Sequence, residues 1–232
     1  MSKRINYEKA LEYWSEIPAT VDGVLGGFGF ISDIDIVGST QFLQSLFSLE
    51  NSPGREVALD CGAGIGRITK HLLLPHFNKV DVIEPDQKFL NEILNYVGEN
   101  SSNVGKLYHT SLQDFQPEIK YDVIWNQWVL GYLKDEDLVS YLITCRNTLA
   151  ENGVIVVKEN ITSSGKTEAD DADSSVTRCL KQYTKIFKQA KLKRVKQCKQ
   201  TNFPNGIYPV YMFALIPVKE HVSENKHEND LL

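Results

Sequence analysis

Apolar and polar positions along this chain repeat with two periods, and the switches between them set out the expected elements. Tyr7, Leu11 and Trp14 fall three or four apart, which is one stripe of a helix, and Pro18 stops it. A glycine-rich loop with apolar anchors follows, Val21-Asp22-Gly23-Val24-Leu25-Gly26-Gly27-Phe28-Gly29. Phe42, Leu43, Leu46, Phe47 and Leu49 predict a second amphipathic helix. From Glu56 short apolar runs take over, at 56–60, 79–84, 106–108, 121–125 and 153–158, each of strand length. Helices are predicted between them over 67–74, ended by Pro75, over 85–97 and over 135–149. Alternating strands and helices imply a parallel sheet with both faces covered. Residues 162–172 are polar and acidic and read as a loop, after which Ser174 or Ser175 begins a helix to Ala190. The runs 192–199 and 207–216 have no helix between them and should pair as a hairpin. The expected fold is therefore α/β and Rossmann-like, a mixed seven-stranded sheet with helices on both faces.

Three segments are expected: a helical extension over 1–54, a core over 55–218, and a tail over 219–232. The tail is charged, lacks aromatics and is expected to be disordered. The extension is expected to cover the mouth of the core, although the pattern alone equally suits two helices that only complete it.

The chemistry centres on Asp60-Cys61-Gly62-Ala63-Gly64-Ile65-Gly66-Arg67, placed where a strand turns into a helix. Glycine permits positive φ and close approach of a ligand to the backbone. The helix beyond aims free N–H groups at the turn. Glu84 ends the next strand, where one carboxylate can accept from two ribose hydroxyls. A dinucleotide fingerprint would place its third glycine at position 67, but that glycine comes one place early, at Gly66, and Arg67 follows. A cation at a helix start suits a carboxylate. S-adenosyl-L-methionine has an adenosine and an amino-acid carboxylate but no phosphate, and it fits the loop best. Ser111–Phe115 after the third strand and Gln127 after the fourth lie at the carboxyl edge, where such a ligand binds. Trp128 and Tyr132 at the same edge offer aromatic faces to a ring or cation, or else pack in the core. Asn160 either orients an amine or makes a turn. The acids of Glu168–Ser175 form either an anionic rim for a cationic substrate or a solvated loop with a helix cap.

Composition narrows the class only slightly. The net charge of −5 argues weakly against a dedicated nucleic-acid binder and suits a cationic substrate. The four cysteines are far apart and form no metal-type pair. They read as reduced thiols of a cytosolic or nuclear protein. Residues 1–20 contain no apolar signal core, and no apolar run approaches the roughly 18–20 residues of a membrane span. A soluble, monomeric protein with no metal, no membrane and no nucleic-acid partner is expected.

The chain resembles the protein N-terminal α-N-methyltransferases that act on Xaa-Pro-Lys termini, a branch of the class I S-adenosylmethionine-dependent methyltransferases. The segments that carry the resemblance span about residues 7–216. They are Tyr13-Trp14 with Val21–Gly27, Leu59–Lys70, Leu112–Phe115, Tyr121–Trp125, Gln127–Val129, Asp173–Ser175, and Tyr208. The resemblance implies the class I methyltransferase fold and methylation, once, twice or three times, of a free α-amine exposed after Met removal. It implies that Gly62, Arg67, Glu84, Asp86, Leu112, Gln113 and Gln127 line the cofactor site. Trp14 and Trp128 would flank the substrate terminus, with Trp128 against the proline. Asn160 would hold the first residue, while Asp170 and Asp173 would meet the Lys and the reacting amine. Ser175 and Tyr208 would lie close to the peptide. Three positions depart from the family pattern. Tyr132 stands where the family often has a His, and a Tyr with a pKa of about 10 is a poorer base, which moves proton removal to Asp173 or to solvent. Glu84 replaces an Asp, and Gly206 replaces an acid. A small-molecule or RNA acceptor, or a cofactor-binding subunit without catalysis, are the rival readings.

Overall fold

The computed structural model describes residues 5–218, so the expected tail over 219–232 lies outside the described residues. Seven strands form one sheet: β1 (Val57–Cys61), β2 (Lys79–Ile83), β3 (Val104–Tyr108), β4 (Tyr121–Gln127), β5 (Leu149–Asn160), β8 (Leu192–Lys199) and β9 (Val210–Pro217). Their order across the sheet is β3-β2-β1-β4-β5-β9-β8. The first five are parallel, and β9 lies antiparallel between β5 and β8. The chain builds outward from β1 to β3, then returns to place β4 on the other side of β1. That reversal opens a crevice at the carboxyl ends of β1 and β4, the switch point where ligands of such sheets bind. Register brings Cys61 beside Asn126, and Gln127 beside Lys158, at that edge.

Period-two alternation splits the core into two layers. Leu59, Ile124, Ile155 and Phe213 face α5 (Asp135–Asn147) and α6 (Leu180–Gln189), which contribute Tyr141, Leu142, Tyr183 and Phe187. Ala58, Val80, Trp125 and Val156 face the opposite side, against α3 (Ser32–Phe47) and α4 (Gln87–Val97). Leu43 and Leu46 of α3 are fully buried there, so the second helix of the extension is part of the core layer. The first, α1 (Tyr7–Glu16), crosses the carboxyl edge instead. Its N-cap Asn6 accepts from the Lys9 amide, and the Asn6 amide donates to Ser174 Oγ (2.8 Å). Lys88 of α4 donates to the Ser15 carbonyl (2.7 Å), fixing the other end. Between α1 and α3, α2 (Val21–Val24) is a single turn capped by Thr20.

Several boundaries differ from the sequence reading. The helix expected from Ser174 or Ser175 begins at Leu180. In its place β6 (Glu168–Asp170) and β7 (Ser175–Thr177) pair as a two-stranded antiparallel ribbon. The acids and serines close its turn: Asp170 Oδ1 accepts from the Ala172 amide, Asp173 Oδ1 accepts from the Ser175 amide, and Ser174 takes φ +60°. Asp and Ser side chains support turns as readily as helix caps, and β-branched Val176 and Thr177 tip the balance to strand. Over 67–74 the helix is π-helical for most of its length, Thr69–Leu73. The expected helix over 135–149 stops at Asn147, because β5 already begins at Leu149. The last strand starts at Val210, not at 207.

Candidate active site

Beyond β1 the backbone takes positive φ at Gly62, Gly64 and Gly66. At Gly62 (φ +68°) a Cβ would lie 2.5 Å from Val129 Cγ2, so glycine is required there by the neighbouring loop as much as by any ligand. At Gly66 (φ +85°) it would meet Ile93 of α4 at 3.3 Å, which explains the early third glycine as a packing contact. The amides of Gly62 and Ala63 both donate to the Ile83 carbonyl and pin the loop to the end of β2.

Glu84 follows directly. Its Oε2 accepts from the Gly64 amide (2.8 Å) and its Oε1 from the Asp86 amide (2.9 Å). Burial pushes its carboxyl up to about 7, against those two bonds. Asp86 in turn caps α4 through the Lys88 amide (2.7 Å).

Two cavities meet at this edge. The first has about 1100 Å³ of empty space, counting its open mouth, and all seven residues expected at the cofactor border it: Gly62, Arg67, Glu84, Asp86, Leu112, Gln113 and Gln127. Ala10, Leu11 and Trp14 of α1 close it on the outside. The second, about 1230 Å³, is bordered by Asn160, Ser175 and Tyr208, with Gly206 beside them. Trp14, Trp128 and Tyr132 border both and form a common aromatic wall. Trp14 and Tyr132 meet edge to face with centroids 6.0 Å apart.

Asp170 and Asp173 border neither cavity. Asp170 is exposed in the ribbon turn. Asp173 stands behind Tyr132, whose hydroxyl donates to its Oδ2 at 2.6 Å. Burial first, then the Asp173 charge, pushes the Tyr132 phenol well above its ordinary value. At neutral pH Tyr132 is therefore a donor and not a base. Tyr208 reaches the ribbon from the other side, donating to Glu168 Oε2 (2.6 Å).

The sequence reading missed a buried polar network beneath this wall. Asp35 of α3 is fully buried and accepts from Arg67 Nη1 (2.8 Å), from Gln127 Nε2 (2.8 Å) and from Lys158 Nζ (2.5 Å). Lys158 also donates to Ser39 Oγ and Gln200 Oε1, both at 2.8 Å. Gln127 Oε1 accepts from the Trp125 indole (3.0 Å). Burial pushes the Asp35 carboxyl up, but Lys158 and Arg67 outweigh it and hold the group below the ordinary carboxylate value. Burial likewise lowers the Lys158 ammonium. A signal was present in the sequence: Ile31, Asp35, Ser39, Phe42 and Leu46 form one helical stripe with an acid and a serine in it. Glu159 was also missed as a support. Its Oε1 accepts from the amides of Val129 (2.9 Å) and Leu130 (2.8 Å), fixing the turn in which Trp128 takes φ +53°. Burial pushes Glu159 up to about 7.

These groups fit S-adenosylmethionine. Arg67 gives only Nη1 to Asp35 and Ser32, leaving the rest of its fork for a carboxylate. Glu84 retains lone pairs for two hydroxyls. The Trp128 indole N–H is buried in the common wall and is the one buried side-chain N or O atom without a partner among the described residues. No cluster of metal-ligating side chains occurs among the described residues, and no helix there is long and apolar enough to cross a membrane.

Comparison with known proteins agrees with this geometry. A family model described as AdoMet dependent proline di-methyltransferase matches residues 2–216. The chain is 50% identical over 212 residues to the N-terminal Xaa-Pro-Lys N-methyltransferase 1 of Xenopus tropicalis, covering 90% of this chain and 94% of that one. It is 48% identical over 217 residues to the Alpha N-terminal protein methyltransferase 1 of Drosophila melanogaster, covering 92% and 77%. Among solved structures, a SAM-dependent methyltransferase from Leishmania major superposes with a TM-score of 0.84 at 40% identity, over 90% of this chain and 82% of that one. One from Clostridium acetobutylicum, at 15% identity and a TM-score of 0.66 over 86% and 96%, shares the fold.

Proposed function

The chain belongs to the AdoMet-dependent proline di-methyltransferase family, and we propose that it methylates the free α-amino group of proteins whose N-terminus reads Xaa-Pro-Lys. The observation that carries this reading is the aromatic wall shared by the two cavities. A donor seated in the first and an amine seated in the second come together at Trp14, Trp128 and Tyr132.

S-adenosylmethionine supplies a methyl group on a sulfonium, and transfer to a neutral amine forms a C–N bond, breaks the C–S bond and leaves a thioether. Arg67 holds the carboxylate end with Gln127 beside it, Glu84 holds the ribose, and Leu112 and Gln113 border the adenine. In the second cavity Trp128 packs against the proline, which has no N–H to satisfy. Asn160 orients the first residue, with Ser175 and Tyr208 along the peptide. Asp170 and Glu168 on the ribbon supply the anionic rim for the Lys. An α-amine has a pKa of about 7.7–8.0, so roughly a tenth of it is neutral at pH 7. Solvent therefore removes the proton before the amine is seated, and Tyr132, held protonated against Asp173, does not act as a base. Asp173 fixes Tyr132 and the ribbon turn, and its charge steadies the cationic product beside the aromatic wall. Orientation of amine and methyl is the main catalytic term, worth several kcal/mol. We read the enzyme as a monomer of the cytosol or nucleus, which its four free cysteines support.

A peptide panel tests the reading. With labelled S-adenosylmethionine, Ser-Pro-Lys should be methylated well, while Ser-Ala-Lys and Ser-Pro-Glu should lose at least tenfold in kcat/KM. Equal rates on all three would remove the proline wall and the acidic rim from the account.

A further inference from the structure

Charge is unevenly placed along this chain. Residues 181–199 hold eight of its 25 cations and none of its 30 acids, which leaves the remainder at −13. They form α6 and β8, adjoining elements that make one border of the molecule. Lys181, Lys185 and Lys188 share one exposed face of α6, with Tyr183, Ile186 and Phe187 turned to the core. On β8, Lys193, Arg194 and Lys199 are exposed and Lys196 is half-buried. Arg194 lies over the Phe213 ring on the α6 side, whereas Lys196 pairs opposite Ala214 of the other layer, so the cations wrap both faces of the edge. Among the described residues none of these seven makes an ion pair. Lysines on an edge strand guard it against stray pairing, which accounts for β8 but not for the three on α6.

The border begins at the acceptor cavity. β8 ends at Lys199, the next residue, Gln200, joins the Lys158 network, and Phe203 lines the second cavity. Four positions along the chain separate the end of the border from the lining of that cavity.

We infer that the α6–β8 border binds an acidic segment of the protein substrate, downstream of its N-terminal motif. This rests on the function proposed above. A polypeptide is favoured over a nucleic acid because β8 ends the sheet, so among the described residues its outward N–H and C=O groups have no strand beside them. An extended peptide can pair with them, and a phosphate backbone cannot. The eight residues of β8 span roughly 26 Å at about 3.3 Å each, so a segment of about eight residues matches the border. Its attraction is screened by salt, and because it touches no reacting atom it acts on KM.

The test uses two peptides with a common Ser-Pro-Lys start and a short Gly linker, one continuing in eight alternating Glu and Asp, the other in eight alternating Gln and Ser. At 50 mM salt the acidic peptide should show a KM at least tenfold lower with the same kcat, and the advantage should shrink at 500 mM. The variant K188Q/K193Q/K196Q/K199Q should abolish the advantage while leaving the neutral peptide's kinetics unchanged. Equal KM values for both peptides on the unaltered enzyme would overturn the inference. Tighter binding of a labelled 20-nucleotide RNA or DNA duplex than of the acidic peptide at 150 mM salt would overturn it in favour of a nucleic acid. If neither peptide is methylated, the proposed function fails, and anisotropy of an N-acetylated, labelled acidic peptide still reads the border: binding lost in the quadruple variant upholds the docking surface, and no binding refutes it.

Discussion

Replacing Asp35 with Asn removes one negative charge from a site where it faces two cations at 2.5–2.8 Å with no solvent access. Breaking a buried ion pair from one side costs about 3–5 kcal/mol, because the partner stays buried and uncompensated. Here the partners are Arg67 and Lys158, and one of the two bonds from Gln127 Nε2 goes as well. In a protein of this size about 1 kcal/mol moves Tm by roughly 2–4 °C, so Tm should fall by about 6–20 °C. Asp35 also aims Arg67 and Gln127, the groups assigned to the carboxylate of S-adenosylmethionine. Loss of one charge-assisted hydrogen bond, about 1.5–3 kcal/mol, should weaken that cofactor by about ten- to a hundredfold. Methylthioadenosine, which has the adenosine half but no carboxylate, should bind Asp35→Asn and the unaltered protein alike. Calorimetry on both ligands with a thermal melt reads all three quantities. Adding Lys158→Met removes one stranded cation and should restore part of the Tm without restoring the cofactor. Equal losses for both ligands would show that Asp35 serves the fold alone, and a Tm change under 2 °C would refute the energetic reasoning.

The role proposed for Glu84, accepting ribose hydroxyls, needs its carboxylate form, and burial pushes that carboxyl up to about 7. Cofactor affinity should thus be lost as pH falls through about 7, approaching tenfold per unit below about 6, and Glu84→Gln should flatten the profile. Without cofactor the sign reverses. Glu84 and Glu159 are raised from an ordinary value of about 4.3, so their contribution to stability is complete below that value and lost as pH rises through about 7; melts between pH 5 and 8 should show Tm falling. The pH profile of kcat/KM should rise with the peptide's own α-amine near pH 8 and keep that midpoint in Tyr132→Phe, whereas a shifted midpoint would make Tyr132 a base. Asp173→Asn should lower kcat at least tenfold with cofactor affinity intact, and unchanged turnover would remove Asp173 from the mechanism.

The parallel core was legible because most of its strands are apolar runs and Pro75 and Pro85 mark helix boundaries between them, so β1–β5 and the β8–β9 hairpin follow from pattern. The glycine loop and Glu84 were legible because one turn of chain holds both the strand end and the helix start. The ribbon at 168–177 was not, since Asp and Ser close a turn and cap a helix with the same bonds. Asp35 was obscured by its helix, where an acid four residues from Ile31 reads as a solvent-facing break in the stripe. The approach of Arg67, Gln127 and Lys158, 32, 92 and 123 residues away, makes that acid a core residue. Gly62 carried a second message that only tertiary structure discloses: Val129 occupies the space a Cβ would need.

The proposed function stands on a free α-amine as the acceptor. Incubating the enzyme and S-adenosylmethionine with a Ser-Pro-Lys peptide and with its N-acetylated twin, then fragmenting the products by mass spectrometry, addresses it directly. Methyl groups are expected on residue 1 of the free peptide and none on the acetylated one. Methyl groups on the Lys side chain, or equal labelling of both peptides, would contradict it.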